Sequence, residues 1–311
     1  MADTTVKSLR ASLCSQETPL AVQFRALFSL KHLATTSEDS AAIAAIEAIA
    51  AGFASPSALL KHELAYCLGQ TKKDAAVKPL RDVLSDLQED PMVRHEAAEA
   101  LGALGKAENL DILKQFRDRE GEDIAVKETC EIAIDRVEWE NSPERLQEKL
   151  RQSDFASIDP APPMPESEKS VDDLEKVLMD VNKPCSNAIA PYCATAVPAV
   201  LALAQGFKNE SALFRHEIAF VFGQLSHPAS IPALTAALSN VNEAGMVRHE
   251  AAEALGGLGE EEGVEDTLKR FLHDKETVVR ESVIVALDMA EYEKSGDAEY
   301  ALIPEAPAAS A

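Results

Sequence analysis

Hydrophobic positions along the chain follow a helical period rather than the alternation of a strand. Leu64, Cys67 and Leu68 recur at intervals of three and four residues, and the same spacing returns from Ala97 to Leu104. Such spacing places apolar side chains on one face of a helix, where they must pack against neighbouring helices. Long alternations of β-branched residues are absent from the sequence. The pattern therefore predicts an all-α fold.

The predicted helices come in pairs. In the first half the pairs are 6–14 with 20–33, 41–53 with 58–69, 75–87 with 92–104, and 110–117 with 124–138. A helix pair every 32 to 38 residues resembles HEAT repeats, the α-solenoid class, in which each repeat packs on its neighbours. Gly69, Gly102 and Gly105 are predicted to mark the ends of second helices.

The helical pattern occurs twice. Residues 92–105 and 246–259 differ only at Ala103 against Gly257, and a final pair at 264–272 and 278–292 mirrors the fourth. Between the copies the sequence is rich in Pro, Ser, Asp and Glu, which is typical of a polar linker. We predict a HEAT-like α-solenoid of about eight helix pairs in two duplicated halves joined by this Pro-rich linker. The predicted segments are an N-terminal half at 1–140, a linker at 141–170, a C-terminal half at 171–293 and a frayed tail at 294–311.

The duplication is imperfect at the start of the second half. In the first half 27 positions separate Cys14 from Ala41, but only 15 separate Asp180 from Thr195. Residues 182–193 cannot supply the helix that contains residues 24–28, so the first repeat of the second half is predicted to be truncated. Either this end of the solenoid is capped differently or the sequence record lacks coding material, and both possibilities stay open.

Composition indicates which classes of binding partner and which cellular compartment to expect. The chain has 53 acidic against 30 basic residues, a formal charge of −23, which argues against nucleic acid and favours a basic protein or a cationic small molecule. Its five cysteines have no C-x-x-C spacing, which argues against disulfides and thiolate zinc and favours a reducing compartment. The amino terminus does not resemble a signal peptide, and prolines interrupt the longest apolar stretch, 189–207. We therefore expect a cytoplasmic protein that does not enter membranes.

One motif, a basic residue followed by His and Glu, occurs four times near the start of a predicted second helix. His62 and His95 are 33 residues apart, as are His216 and His249, and the two pairs are offset by 154 residues. The outer repeats have Lys127-Glu128 and Arg280-Glu281 at the same phase, where the glutamate persists without the histidine. The remaining histidines do not recur at this phase and are interpreted as ordinary packing or surface residues; these are His32, His227 and His273.

Each motif residue also has a structural interpretation. A glutamate early in a helix complements the positive end of the helix dipole, and a single histidine is usually a packed or solvent-facing residue. Four histidines in register favour a site instead.

Neighbouring solenoid helices lie about 8 to 10 Å apart, so His62 and His95 can reach one point. If the halves face each other across a pseudo-two-fold axis, two metal ions about 3.5 to 4 Å apart can be held by eight side chains. These are His62, Glu63, His95, Glu96, His216, Glu217, His249 and Glu250.

The types of ligand limit which metal ions the site would bind. Two histidines and a carboxylate per ion, with open positions, are typical of non-haem iron and oxygen chemistry. Manganese and catalytic zinc remain alternatives. The residues by themselves therefore indicate a di-metal site for oxygen activation or hydrolysis on a helical-repeat protein.

The two stretches at 92–102 and 246–256, together with eight HEAT-like repeats in two halves, resemble deoxyhypusine hydroxylase over nearly the whole chain. The resemblance implies a monooxygenase with two Fe²⁺ per chain. Such an enzyme uses O₂ and an external reductant to convert the deoxyhypusine side chain of translation initiation factor 5A to hypusine. It also implies that iron binds His62, His95, Glu96, His216, His249 and Glu250. Glu63 and Glu217 would contact the substrate amines or act as additional ligands. The family has a Phe-Arg-Ala helix at the start of both halves, whereas here only residues 24–30 fit.

Two alternatives from other classes stay open. One is a non-catalytic HEAT-repeat scaffold whose histidines line a protein-binding groove, which a lack of near-stoichiometric iron would favour. The other is a protein similar to the HEAT-repeat bilin lyases, although an acidic chain with 5% aromatic residues offers little for the large apolar pocket that a tetrapyrrole needs. For the enzyme we expect a monomer that binds neither nucleic acid nor membrane.

Overall fold

A computed structural model describes residues 2–37, 39–143 and 197–295. Fourteen α-helices and no strand occur within these ranges. In chain order the helices are α1 Ala2–Cys14, α2 Leu20–Thr36, α3 Asp39–Ala51, α4 Ala58–Gln70, α5 Val77–Ser85, α6 Pro91–Leu104, α7 Leu110–Arg117, α8 Ile124–Glu140, α9 Val197–Leu203, α10 Ala212–Leu225, α11 Ile231–Ser239, α12 Gly245–Gly256, α13 Val264–Lys269 and α14 Thr277–Ser295.

The helices pair as HEAT repeats do, four pairs from α1 to α8 and three from α9 to α14. This arrangement confirms the predicted all-α solenoid. Some first helices are shorter than predicted. Helix α5 occupies Val77–Ser85 and follows a 3₁₀ turn at Asp74–Ala76, and α13 ends at Lys269.

Side-chain caps fix where the second helices begin. The Ser57 hydroxyl accepts a hydrogen bond from the amide of Leu60, and Ser211 accepts one from Phe214, both at 3.0 Å. Asp90 caps α6 in the same way. These bonds satisfy amides that have no partner within the first turn of a helix. Helix α12 begins at the same register without a side-chain cap. The histidine of every motif is the fifth residue of its helix and the glutamate is the sixth.

Glycines near the ends of second helices have two different roles. Gly105 has a φ of +69° and caps α6, as predicted. The prediction that Gly69 and Gly102 end helices is wrong, because both lie within helices. A Cβ atom on Gly102 would lie 2.7 Å from the Cβ of Ala133, and one on Gly69 would lie 2.8 Å from the Cβ of Ala100. These glycines allow successive second helices to pack at close range.

The second helices form an inner layer. Helix α6 packs between α4 and α8, and α12 packs between α10 and α14. Helix α6 is buried over nearly its whole length, including the polar side chains of Arg94, His95 and Glu96. A helix that buries charged residues so completely must provide partners for them inside the protein.

The two halves meet at two places that are copies of each other. Helix α14 packs against α2 and α4, and Val285 joins the apolar core of the first half. At the other place α8 packs against α10, where Ile132 and Ala125 contact Leu213. Each half thus places its last helix against the helix of the other half that carries the first His-Glu motif.

Several predictions concern residues outside the described ranges. These are the linker beyond residue 143, the truncated first repeat around residues 182–193 and the tail beyond residue 295. The predicted segment boundaries stay predictions. Among the described helices, none has the length and apolarity needed to cross a membrane.

Candidate metal centre

The eight side chains of the four His-Glu motifs lie together between the halves. They project from the second turns of α4, α6, α10 and α12, and every one of these residues is at most 9% exposed. His95 and His249 are completely buried. The structure therefore brings together all the residues that the sequence predicted as a site.

The four imidazoles surround one small space. The ring centre of His62 lies 5.4 Å from that of His95, 5.9 Å from His216 and 5.0 Å from His249. His216 lies 5.3 Å from His95 and 5.4 Å from His249. Histidines of different halves are thus about as close to each other as those in neighbouring repeats.

One carboxylate in each half faces a histidine of the preceding repeat. Glu96 Oε2 lies 3.2 Å from His62 Nε2, and the duplicated pair, Glu250 Oε2 and His216 Nε2, lies at 3.5 Å. Both nitrogens nevertheless lack a hydrogen-bond partner. Two ligand atoms at about 2.1 Å from one metal ion are separated by roughly 3.0 to 3.5 Å. The two distances therefore suit a shared ion.

Six imidazole nitrogens are buried without a hydrogen-bond partner: both in His62, both in His95, and Nε2 in His216 and in His249. Buried polar atoms of this kind are rare and require a partner. Three sets of side chains place one donor atom each within 4.8 Å of the others, the spacing of atoms around an ion. The sets are His62, His95 and Glu96; His62, His216 and His249; and His249, Glu250 and Glu253. The residues present fit a metal centre.

Three of the histidines are held in their neutral form. Burial lowers the pKa of His62 to about 4 and that of His249 to about 3, and it lowers the pKa of His95 well below its usual value. The neighbouring imidazoles lower these values further, because several cations cannot share the space. Neutral imidazole is the form that binds metal ions.

His216 behaves in the opposite way. Burial alone would lower its pKa, but contacts with Glu217 and Glu250 raise it to about 10. Its Nδ1 lies 3.1 Å from Glu217 Oε1. In addition, burial raises the pKa of Glu63 well above its usual range. Both shifts indicate that a buried group of carboxylates needs positive charge or protons.

The glutamates fall into two sets. Glu96 and Glu250 belong to the groups of close donor atoms, whereas Glu63 and Glu217 belong to none found among the described residues. Glu63 Oε1 lies 4.0 Å from the Cys67 thiol, and Glu217 contacts His216 on the side of Nδ1. The structure thus separates Glu63 and Glu217 from Glu96 and Glu250.

Glu253 is a residue of the site that the sequence analysis did not identify. It follows His249 by one helical turn, and its Oε1 lies 3.4 Å from His249 Nδ1 and accepts a hydrogen bond of 3.3 Å from Ser282. The first half has Glu99 four residues after His95, and Thr129 where the second half has Ser282. The repeated acidic residue four positions after the second histidine of each half is the signal that could have identified it.

The basic residue of each motif lies outside this group. Each pairs with an acidic residue of the following repeat: Lys61 with Glu89, Arg94 with Glu122, Arg215 with Glu243, and Arg248 with Asp274. Arg94 and Glu122 are almost fully buried and form two hydrogen bonds of 2.7 Å. Hydrogen bonding by Arg94 lowers the pKa of Glu122 to about 2. These pairs hold successive repeats together.

Comparisons with known proteins agree with this geometry. HEAT repeats match residues 46–134 and 200–288. A Gibberella zeae deoxyhypusine hydroxylase is 72% identical over 100% of this chain and 96% of the relative. The deoxyhypusine hydroxylase of Neurospora crassa is 70% identical over 97% of both chains. The solved structure of human deoxyhypusine hydroxylase in complex with glycerol is 42% identical, with a TM-score of 0.84 over 94% of this chain and 97% of the human one.

These relatives match the whole length of the chain, the duplicated halves included. Their identity confirms the resemblance carried by the repeated motifs and supports an enzyme over a non-catalytic scaffold or a bilin lyase-like protein. The chain belongs to the deoxyhypusine hydroxylase family and is a deoxyhypusine monooxygenase.

Proposed function

We propose that this enzyme hydroxylates the deoxyhypusine side chain of translation initiation factor 5A, with O₂ as oxidant, an external reductant and two Fe²⁺ per chain. The observation that carries the proposal is the convergence of four histidines and four glutamates in one buried space between duplicated halves. Four carboxylates balance the charge of two divalent ions. Two histidines and one carboxylate for each ion leave open positions, which suits non-haem iron.

Each half supplies one ligand set. His62, His95 and Glu96 would hold one ion. By the duplication, the equivalent residues His216, His249 and Glu250 would hold the other. Bound iron supplies the activation of O₂ that insertion of oxygen into a carbon–hydrogen bond requires. Glu253 accepts a hydrogen bond from His249 Nδ1 and so leaves Nε2 for the ion.

The chain's own residues also position the substrate. Glu63 and Glu217 do not belong to the ligand sets and bind the ammonium groups of the deoxyhypusine side chain, whose reacting carbon is then fixed beside the metal centre. Near Glu63, the ring of Tyr66 packs edge to face on Phe220 of the other half at 6.1 Å, and the Lys31 ammonium lies 5.3 Å from the centre of the Tyr66 ring. These partly exposed side chains border Glu63 where the halves meet.

The acidic composition supports a cationic partner. A net charge of −23 attracts a basic loop that carries a polyamine side chain and repels nucleic acid. The same composition and the reduced cysteines Cys14, Cys67 and Cys130 are consistent with a cytoplasmic enzyme. We further propose that it acts as a monomer, because one chain contains both ligand sets.

Mass spectrometry of the substrate tests the proposal. The iron-loaded protein is incubated with reductant, O₂ and translation initiation factor 5A that carries deoxyhypusine, and the factor is then weighed. We expect the mass to increase by one oxygen atom, to become heavier again with ¹⁸O₂, and to stay unchanged when the factor carries an unmodified lysine. If protein with two bound irons adds no oxygen under these conditions, the proposal is wrong.

A further inference from the structure

Two serines that begin ligand-bearing helices are hydrogen-bonded to the opposite half of the molecule. The Ser57 hydroxyl donates to Glu281 Oε2 at 2.7 Å, and the Ser211 hydroxyl donates to Glu128 Oε2 at 2.7 Å. The same hydroxyls accept the capping bonds from Leu60 and Phe214. Each serine therefore fixes the start of a helix and joins that helix to the other half.

The glutamates in these contacts are those of the outer repeats. Glu128 follows Lys127, and Glu281 follows Arg280, at the helical position where the inner repeats have a His-Glu glutamate. In the inner repeats this position faces the metal centre. In the outer repeats it contacts the other half, which explains why the glutamate persists where the histidine does not.

We propose that the Ser57–Glu281 and Ser211–Glu128 hydrogen bonds position the metal centre. Each bond holds the helix with the first His-Glu motif of one half, α4 or α10, against the last helix of the other half, α14 or α8. Together they set the distance between the two ligand sets before an ion binds. The inference rests on the proposed metal centre and adds residues that do not contact it.

The short connection between serine and histidine makes this coupling direct. His62 follows Ser57 by five residues, and His216 follows Ser211 by five. At a rise of about 1.5 Å per residue, the cap and the ligand are roughly 7 to 8 Å apart along one rigid helix. Movement of the capped end therefore moves the imidazole by a similar amount.

Among the described residues, the two places where the halves meet differ in their ion pairs. Arg25 adds an ion pair to Asp288 beside Ser57–Glu281, with two hydrogen bonds of 2.8 and 2.6 Å. The residue equivalent to Asp288 in α8 is Asp135, for which the described part of the chain shows no ion pair or hydrogen bond. We expect the α8–α10 contact to depend more strongly on its serine than the α4–α14 contact does.

Substitution of the serines by aspartate tests the proposal, because aspartate keeps the helix cap while placing a like charge against the glutamate. The proteins are Ser57→Asp and Ser211→Asp, prepared metal-free and titrated with Co²⁺ and with Fe²⁺. We expect the metal affinity to fall about tenfold or more, with Ser211→Asp the more affected. Adding Glu281→Gln or Glu128→Gln to the matching variant removes the repulsion and supplies a donor, and should restore the affinity.

Circular dichroism and thermal unfolding of the same samples separate positioning from folding. If the aspartate variants are folded at the titration temperature and bind both metals as tightly as the parent, the inference is wrong. It is also wrong if affinity falls but the glutamine partner does not restore it. A parent protein that binds neither metal would instead contradict the proposed metal centre, and this inference with it.

Discussion

At the scale of single residues, each of the three side chains of the basic-His-Glu motif makes a different kind of contact. The basic residue pairs with the next repeat, the histidine faces the shared space, and the glutamate either joins a ligand set or stays beside it. These assignments can be tested separately because the duplication supplies a matched copy of every residue.

The two sets of glutamates should respond differently to substitution. We expect Glu96→Gln and Glu250→Gln each to lose about one iron per chain, since a ligand of one ion is removed. Glu63→Gln and Glu217→Gln should keep both ions but raise the KM for the deoxyhypusine-containing factor about 10- to 100-fold, the range expected when a charged hydrogen bond is lost. Iron analysis and steady-state kinetics measure the two effects. Loss of iron from the Glu63 variant would assign that residue to the metal instead.

Glu253 provides a second test at this scale. Glu253→Gln removes the negative charge of the acceptor that orients His249 and weakens that hydrogen bond, and we expect metal affinity to fall about 10- to 100-fold while two ions still bind at saturation. Glu99→Gln in the first half is the matched control and should lose less affinity, because His95 Nδ1 has no hydrogen-bond partner there. A Glu253→Gln protein that binds only one ion would show that Glu253 is a ligand, and an unchanged affinity would remove it from the site.

All eight motif residues could be predicted from the sequence, because four copies in register distinguish a site from ordinary packing. Glu253 could not be assigned in the same way. Its hydrogen-bond partner Ser282 comes from the following repeat, 29 residues later, so the contact depends on how two helices pack.

At the scale of helices, close packing of successive repeats can be tested with a pair of duplicated glycines. A Cβ on Gly69 would lie 2.8 Å from the Cβ of Ala100, whereas one on Gly223, the equivalent residue of the second half, would lie 3.5 Å from Ala254. We expect Gly69→Ala to lower the free energy of unfolding by about 1 to 3 kcal/mol through overpacking. Gly223→Ala should be neutral or stabilising by up to about 1 kcal/mol, because alanine is the better helix former.

Urea denaturation of the metal-free proteins measures both changes. Equal effects at the two positions would contradict the close approach at Gly69.

The sequence could predict a glycine of special importance here, but it could not distinguish a helix end from a close contact, since both place glycine near the last turn. Helix positions could be predicted because the spacing of apolar residues is a local signal. The capping residues Ser57, Asp90 and Ser211 lie next to the helices that they begin.

At the scale of the whole molecule, burial of neutral histidines makes the metal-free fold sensitive to acid. The pKa of His62 is lowered from 6.5 to about 4 and that of His249 to about 3. The unfolded chain therefore binds protons below pH 6.5 that the folded chain does not bind. Each of these histidines should lower the stability as the pH falls from 6.5 towards 4, by up to about 1.4 kcal/mol per pH unit. Burial raises the pKa of Glu253 from 4.5 to about 7, which has the opposite effect, so the net fall is smaller than the sum of the histidine contributions.

Urea midpoints of the metal-free protein at several pH values between 4 and 7 test this expectation. His62→Asn, which has no titrating ring, should show a smaller slope than the parent over the same range. Parent and variant midpoints with the same pH dependence would show that His62 is not held neutral by the fold.

The duplication also allowed the closure of the halves to be predicted, because two copies of one unit can face each other across a pseudo-two-fold axis. The contacts that close them could not be predicted. Ser57 and Glu281 are separated by 224 residues, and nothing local in the sequence indicates that they meet.

The central claim is that the two halves together hold two iron ions, one in each ligand set. Counting iron per chain in purified protein, with elemental analysis against protein concentration, tests it most directly. We expect two irons in the parent and about one in His95→Ala and in His249→Ala, because each variant damages one set. A parent with no near-stoichiometric iron, or variants that retain both ions, would contradict the account.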